Sequence, residues 1–233
     1  MTALPQGDEK RKAVQAMFDT IAPRYDLVNR VMTFRMDVGW RRRTVRDLGL
    51  RPGSLVVDLA SGTGDLCHDL ERHGLRPVAV DLSFGMLDHA THGAPRVQGD
   101  ALALPFAARS VDGVVCGFAL RNFVALPPML DELARILRPG GRISLLDVSV
   151  PANPLLRWGH GAYFGRVVPL IGGLLSDGPA YRYLPRSVAY LPEPPELLRM
   201  VRDAGFTTVE RSQLSTGISQ LVTATRDHDR TQA

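Results

Sequence analysis

From Ser54 to Val148 the chain alternates short apolar runs with segments of helical pattern, and no other feature limits the fold as much. Strands are expected over Ser54–Leu59, Pro77–Val80, a short stretch around Val97, Val111–Gly117 and Arg142–Val148. Helices are expected over Asp65–Arg72, Phe84–His89 and Leu126–Leu137. Strands bounded by turn signals and separated by helices form a parallel sheet with helices on both faces. Right-handed crossovers then bring the loop after each strand to one sheet edge, where ligands bind.

Four regions follow from this core. Residues 1–50 are a helical preface in which residues 1–12 are polar and expected to fray; a helix runs from about Asp37 to Leu48, closed by Gly49 and the Arg51-Pro52-Gly53 turn. Residues 51–150 are the ligand-binding core. Residues 151–192, rich in Pro, Gly and aromatics, are a helical insertion over the binding edge, on the substrate side. Residues 193–233 complete the core with a helix over Glu193–Ala204, a Gly205 cap and strands over Phe206–Ser212 and Ile218–Thr225. A chain of 233 residues that is 45% hydrophobic suits one α/β domain with a small appendage.

Charge and cysteine content exclude several classes. The formal charge is +4, and Lys10 and Lys12 are the only lysines, so the positive charge is almost all arginine. The densest basic run, Trp40-Arg41-Arg42-Arg43, is expected on a short helix with a solvated basic face; no aromatic-rich or zinc module accompanies it, and no nucleic-acid partner is expected. Cys67 and Cys116 form no framework spacing and no apolar signal segment opens the chain, which suits a reducing, cytoplasmic setting. The apolar stretch Val167–Leu175 is too short to span a bilayer, so any membrane contact is made from the surface. His89 and His92 lie three apart but have no third ligand nearby; a solvated turn is expected there, and no metal site.

The chemistry centres on the stretch Val56-Val57-Asp58-Leu59-Ala60-Ser61-Gly62-Thr63-Gly64-Asp65. A strand that leads into Gly62-x-Gly64 and then a helix brings bare backbone close to a ligand. A dinucleotide fingerprint needs a third glycine where this chain has Cys67, so a pyrophosphate ligand is disfavoured. Asp81, at the end of the next strand, can accept both hydroxyl hydrogens of a ribose. Asp100-Ala101 follows the third strand and suits an adenine amino group beside a small side chain. Singly, each acid could equally be a helix cap or turn former. Together, at successive strand ends, they resemble the site of a class I S-adenosylmethionine-dependent methyltransferase, a Rossmann-like α/β fold with a mostly parallel seven-stranded sheet.

More specific segments resemble the menaquinone/ubiquinone biosynthesis C-methyltransferase family. They are Met17–Asn29 (MFDTIAPRYDLVN), Asp58–Asp65, Leu120-Arg121-Asn122, Leu137–Arg142 (LRPGGR), Tyr183–Ser187 (YLPRS) and Ala204-Gly205-Phe206. The resemblance spans about residues 15–220. It implies that Thr63, Asp81, Asp100 and Ala101 bind the cofactor, together with Gly62, Gly64, Met86 and Gly117. Gly117 stands where the family usually has serine, and Arg35, Ala119 and Gln220-Leu221 are further departures.

The family resemblance also suggests that Arg121 and Asn122, with Tyr25 nearby, position a water or the substrate oxygen and stabilise developing phenolate charge. Arg121 cannot itself be a conventional base, because guanidinium stays protonated. For Arg121 a surface ion pair, and for Tyr25 a packed aromatic, are the structural alternatives. His160 is expected on a helix surface, with the substrate channel as the alternative. Trp158, Tyr163 and Phe164 divide between plain core and a seat for a polyprenyl tail.

The implied reaction is C-methylation of a demethylated quinol, most simply demethylmenaquinol to menaquinol. The implied partner is a small aromatic substrate carrying a prenyl tail, with peripheral contact at the inner face of the membrane and a homodimer both left open. Two other functions stay open: tailoring of a soluble aromatic or polyketide metabolite, and S-adenosylmethionine binding without catalysis. RNA methylation is weak, because Phe118–Asn122 stands after the fourth strand where an Asn-Pro-Pro-Tyr-like motif would be needed.

Overall fold

The computed structural model describes residues 6–167 and 187–228. Most of the apolar stretch Val167–Leu175, the segment Tyr183–Arg186 and the side chain of Phe164 lie outside the described residues. Seven strands form one sheet: β1 (Leu55–Leu59), β2 (Arg76–Asp81), β3 (Arg96–Gln98), β4 (Val111–Gly117), β5 (Leu137–Val148), β6 (Phe206–Leu214) and β7 (Ser219–Arg226). Their order is β3-β2-β1-β4-β5-β7-β6; the first five run parallel, and β7 is antiparallel to both β5 and β6. The fold is thus the α/β architecture with a mostly parallel seven-stranded sheet.

The strands are apolar on both faces because both faces are covered. Along β1 and β4, Val57, Leu59, Val114 and Cys116 join one core with helices α6 (Leu126–Ile136) and α8 (Pro194–Asp203). The alternate residues Val56 and Val115 point the other way, onto α3 (Met36–Leu48) and α4 (Asp65–Arg72). Helix α5 (Phe84–Asp88) follows β2. Above it, α1 (Gly7–Ile21) and α2 (Tyr25–Met32) build a small core around Met86 with Ile21, Val28 and Met32. Helix α7 (Pro154–Ala162) follows β5, with Asn153 capping its first turn by accepting from the Leu155 and Leu156 amides.

Three local expectations are corrected. The segment expected to fray is helical from Gly7 onward: Lys10 is buried, donates to the Phe123 carbonyl at 2.6 Å and lies 3.7 Å from the Tyr190 ring centre. A partner 113 residues away explains why local composition misses it. The basic run is solvated only in part: Arg42 is exposed and Arg43 half-buried, whereas Trp40 and Arg41 are buried and Arg41 pairs with Asp37 and Asp65. The Arg138–Gly141 turn lies within β5, whose pairing jumps from Leu137 to Arg142 while β4 advances only from Val111 to Gly113.

Candidate active site

The ends of β1, β2, β3 and β4 converge on a first cavity of about 90 Å³, lined among others by Gly62, Asp81, Met86, Asp100, Ala101 and Gly117. After β1 the backbone turns through left-handed conformations at Ala60 (φ 53°), Gly62 (56°) and Gly64 (90°). This turn aims the Gly62 amide at the Oδ2 of Asp81, 2.8 Å away, while the Ser83 amide reaches Oδ1 at 2.8 Å. Each carboxylate oxygen thus accepts one backbone N–H and keeps lone-pair capacity for a further donor. That is the requirement for gripping a vicinal diol, so the residues present fit the ribose of S-adenosylmethionine.

Burial pushes the Asp81 carboxyl up to about 6, against the stabilising Ser83 and Gly62 amides. A ligand that donates two hydroxyls needs the ionised form. Cofactor affinity is therefore expected to be full above pH 6 and to fall by up to about tenfold per unit below it, each binding event there releasing a proton. Calorimetric titrations in buffers of different ionisation heat check this, and in an Asp81→Asn variant the acid limb near 6 should vanish. For the unliganded fold the sign is opposite: the raised pKa adds stability that is complete below 3.8 and lost as the pH rises through about 6. Beneath the turn, fully buried Asp58 accepts from the Cys67 thiol at 3.2 Å, and burial raises its pKa to about 7.

Two glycine-turn residues do not line this cavity. Thr63 is turned toward the preface, its hydroxyl donating to Asp26 at 2.5 Å. Asp26, Arg30, Asp65, Arg41 and Asp37 continue as a charge ladder that pins α2 and α3 to the first residue of α4. Gly64 is glycine for another reason: a Cβ there would lie 1.8 Å from His92 Cδ2. His92 is buried against the turn, not solvated as expected, while its neighbour His89 is exposed.

Asp100 closes its own loop, Oδ1 accepting from the Leu102 amide at 2.9 Å, while it also faces the cavity. Asp19 was missed by the sequence reading. It accepts from the Ser83 hydroxyl at 2.5 Å and the Gly85 amide at 2.9 Å, fastening α1 over the start of α5 beside Asp81. At Gly117 a Cβ would lie 2.9 Å from Leu66 Cδ1, so Leu66 takes the space a serine there would need.

A second cavity of about 380 Å³ adjoins the first, and Tyr25 and Phe118 line both. The Tyr25 ring sits over the glycine turn, 3.8 Å from where a Gly62 Cβ would be. Burial raises the Tyr25 phenol, so it stays protonated at neutral pH. Arg121 and Asn122, adjacent in sequence, part company: Asn122 lines the first cavity and Arg121 the second.

Arg121 is not a surface ion pair. It is buried, its Nη1 paired with Asp147 Oδ1 and donating to the Phe118 carbonyl at 2.7 Å, its Nε donating to the Ser187 hydroxyl at 3.1 Å. The Arg121 amide also reaches Asp147 Oδ2, at 3.2 Å. Asp147 thereby fixes the turn that holds Phe118 at φ 60° between the cavities. The sequence carries one signal for Asp147, its place at the end of β5 beside β4, where Leu146 pairs with Gly117.

The buried residues lining the second cavity include polar Asp37, Arg41 and Arg121 beside apolar Met32 and Trp40, while Phe34, Met36, Leu155 and Leu156 of its wall are exposed. His160 is half-buried in the wall, not on an open helix surface, and burial lowers its pKa, leaving the ring neutral at pH 7. Tyr163 also lines this cavity, whereas Trp158 is outside it and exposed.

Known proteins share this fold and much of this sequence. A demethylmenaquinone methyltransferase of Deinococcus radiodurans is 42% identical over 227 residues, covering 92% of this chain and 94% of that protein. A ubiquinone/menaquinone biosynthesis C-methyltransferase of Syntrophotalea carbinolica is 40% identical over 219 residues, covering 90% and 92%. An S-adenosylmethionine-dependent methyltransferase of Thermotoga maritima shares the fold at TM-score 0.67 with 19% identity, covering 92% of this chain and all of that one (100%). A phosphoethanolamine N-methyltransferase of Haemonchus contortus, solved with S-adenosyl-L-methionine, superposes at TM-score 0.60 with 13% identity, covering 81% and 52%. The model of the ubiE/COQ5 methyltransferase family matches residues 6–226, and the chain therefore belongs to that family, as an S-adenosylmethionine-dependent methyltransferase.

Proposed function

We propose that this chain methylates a ring carbon of a demethylated, prenylated quinol, with demethylmenaquinol the first candidate, in the cytoplasm at the inner face of the membrane. The observation that carries the reading is the pair of cavities sharing Tyr25 and Phe118: one with a carboxylate suited to a diol, the other lined by buried Asp37, Arg41 and Arg121 and by apolar side chains, of which Phe34, Met36, Leu155 and Leu156 are exposed. An amphipathic acceptor, a hydroxylated ring on a hydrocarbon tail, matches that mixed lining. Both nearby relatives are named for quinone methylation.

When bound, S-adenosylmethionine supplies an electrophilic sulfonium methyl. Asp81 would hold its ribose, Asp100 and Ala101 its adenine, and Met86 would pack against it, with the Gly62 and Gly117 backbones closing around it. Thr63 and Gly64 support the turn from behind. Tyr25, Arg121 and Phe118 would orient the acceptor ring against the first cavity, which is the proximity term of catalysis. Buried Arg121 lowers the energy of phenolate charge as it develops, while Tyr25 and Asn122 direct the acceptor oxygen or a water that takes the proton.

The test is methyl transfer from labelled cofactor to reduced quinols with and without prenyl tails, alongside soluble aromatics. Transfer to a prenylated demethylnaphthoquinol in preference to soluble aromatics is the expected result. Transfer only to soluble aromatics would replace the quinol reading, and tight cofactor binding without any transfer would remove catalysis. In the same assay Tyr25→Phe is expected to lower kcat by roughly a hundredfold with cofactor affinity within about threefold of wild type. An unchanged kcat would take Tyr25 out of the mechanism.

A further inference from the structure

The exposed large apolar side chains are not scattered over the molecule. Among the described residues all but Phe84 fall in two stretches, 27–36 and 150–158. Phe34 is 71% exposed, and Leu155 and Trp158 are 75% exposed each. Both stretches line the second cavity, Phe34 and Met36 from one and Leu155 and Leu156 from the other; Tyr163, just after α7, ties this side to α2, its ring 5.8 Å from that of Phe34 and its hydroxyl donating to the Met32 carbonyl at 2.7 Å. Phe34, Met36, Leu155 and Leu156 are at once exposed and part of the cavity wall. Every residue from Pro154 to Gly159 in α7 is exposed, so this part of the helix contributes nothing to the core.

The charged residues within these stretches are arginines, and the acids that flank the first, Asp26 and Asp37, are held in ion pairs with Arg30 and Arg41. Between Asp26 and Asp37 the charged residues are Arg30 and Arg35; between Asp147 and Asp177 they are Arg157 and Arg166. Arg30 is committed to Asp65 at 2.8 Å. Among the described residues no ion pair engages Arg35, Arg157 or Arg166, although Arg157 donates to the Pro151 and Ala152 carbonyls at 3.1 and 3.2 Å and so stands as a charge without a counterion. A second copy of the chain, apposed face to face, would set these arginines against their own equivalents. An anionic bilayer offers what the face lacks, hydrocarbon for the rings and phosphates for the guanidiniums.

We propose that this face docks on an anionic lipid bilayer, with Phe34, Leu155 and Trp158 entering the headgroup layer and Arg35, Arg157 and Arg166 pairing with lipid phosphates. Docked in this way, the second cavity opens toward the membrane interior and a hydrocarbon tail reaches it without crossing water. No helix among the described residues is long and apolar enough to cross a membrane, so the attachment is to one leaflet. The inference rests on the reading of the acceptor as prenylated and deepens it by naming the surface that meets the tail.

The test is co-sedimentation of the full chain with quinol-free vesicles of phosphatidylglycerol and phosphatidylcholine, and of phosphatidylcholine alone. Binding to the anionic vesicles is expected, weakening as salt rises. The triple variant Arg35→Gln, Arg157→Gln, Arg166→Gln should bind roughly a hundredfold more weakly, and Trp158→Glu should lose roughly tenfold or more. Both variants should keep wild-type turnover of a detergent-dispersed acceptor and lose turnover of the same acceptor embedded in vesicles. Absence of binding, or equal binding by wild type and both variants, overturns the proposal. So does a wild-type dimer that Trp158→Glu converts to monomer, which would give the face to a second copy. Because the vesicles contain no quinol, docking can succeed while every prenylated acceptor is refused, and that result would remove the functional reading and leave the surface.

Discussion

Replacing Asp147 with alanine should lower the thermal midpoint by roughly 10 °C and silence methyl transfer. The carboxylate is fully buried, and it pairs with buried Arg121 while accepting from the Arg121 and Val148 amides. Removing one partner of a buried ion pair costs about 3–5 kcal/mol, because the remaining charge has neither water nor counterion. For a chain of this size each kcal/mol moves the midpoint by about 2–4 °C. The functional loss has its own cause, since without Asp147 the guanidinium no longer holds the Phe118 carbonyl and the wall between the cavities loosens. Calorimetry on a double variant, Arg121→Met with Asp147→Leu, separates the two effects. A matched apolar pair should restore most of the stability, as such replacements often do, and none of the turnover. An unchanged midpoint in Asp147→Ala would mean that the pair is solvated; recovered turnover in the double variant would mean that Arg121 is structural alone.

Gly64→Ala should be nearly as damaging for a purely steric reason. The residue sits at φ 90°, where a side chain costs about 1–2 kcal/mol. The new Cβ would also lie 1.8 Å from the buried His92 ring, which must leave its place and its hydrogen bond from the Ala94 amide at 3.1 Å. A total loss of about 3 kcal/mol or more is expected. Cofactor affinity should fall at least tenfold, because displacing the turn moves the Gly62 amide away from Asp81. Adding His92→Ala should relieve the clash and leave only the backbone cost. A Gly64→Ala protein with a wild-type midpoint and wild-type affinity would show that the turn adapts freely.

These cases mark how far the site could be read without a structure. Strand–turn–helix alternation is a local pattern, so the five parallel strands and their order of appearance were legible, and Asp81 could be singled out from its place at a strand end. Gly62 and Gly64 were legible as glycines, although Gly64 serves His92 and not the first cavity. Thr63 was expected at the cofactor, and its contact with Asp26, 37 residues earlier, could not be read from the sequence. Asp19 looks like any surface acid until α1 is laid over α5, and Asp147, marked in the sequence only by its place at the end of β5, gains its partner Arg121 once β5 is set beside β4.

What the sequence determined by itself is the class of sheet, the glycine turn after β1 and the place of Asp81 at the end of β2. Those depend on side-chain periodicity and on the conformations a glycine permits, both properties of a few neighbouring residues. The tertiary structure decided the rest: that Arg121 and Asn122 face different cavities, that Lys10 is buried, and that the stretches 27–36 and 150–158 both line the second cavity. Such outcomes turn on which partner is close enough to offset the cost of burying a charge or leaving a ring exposed. That choice is made by packing across a hundred or more residues, where local pattern carries no information.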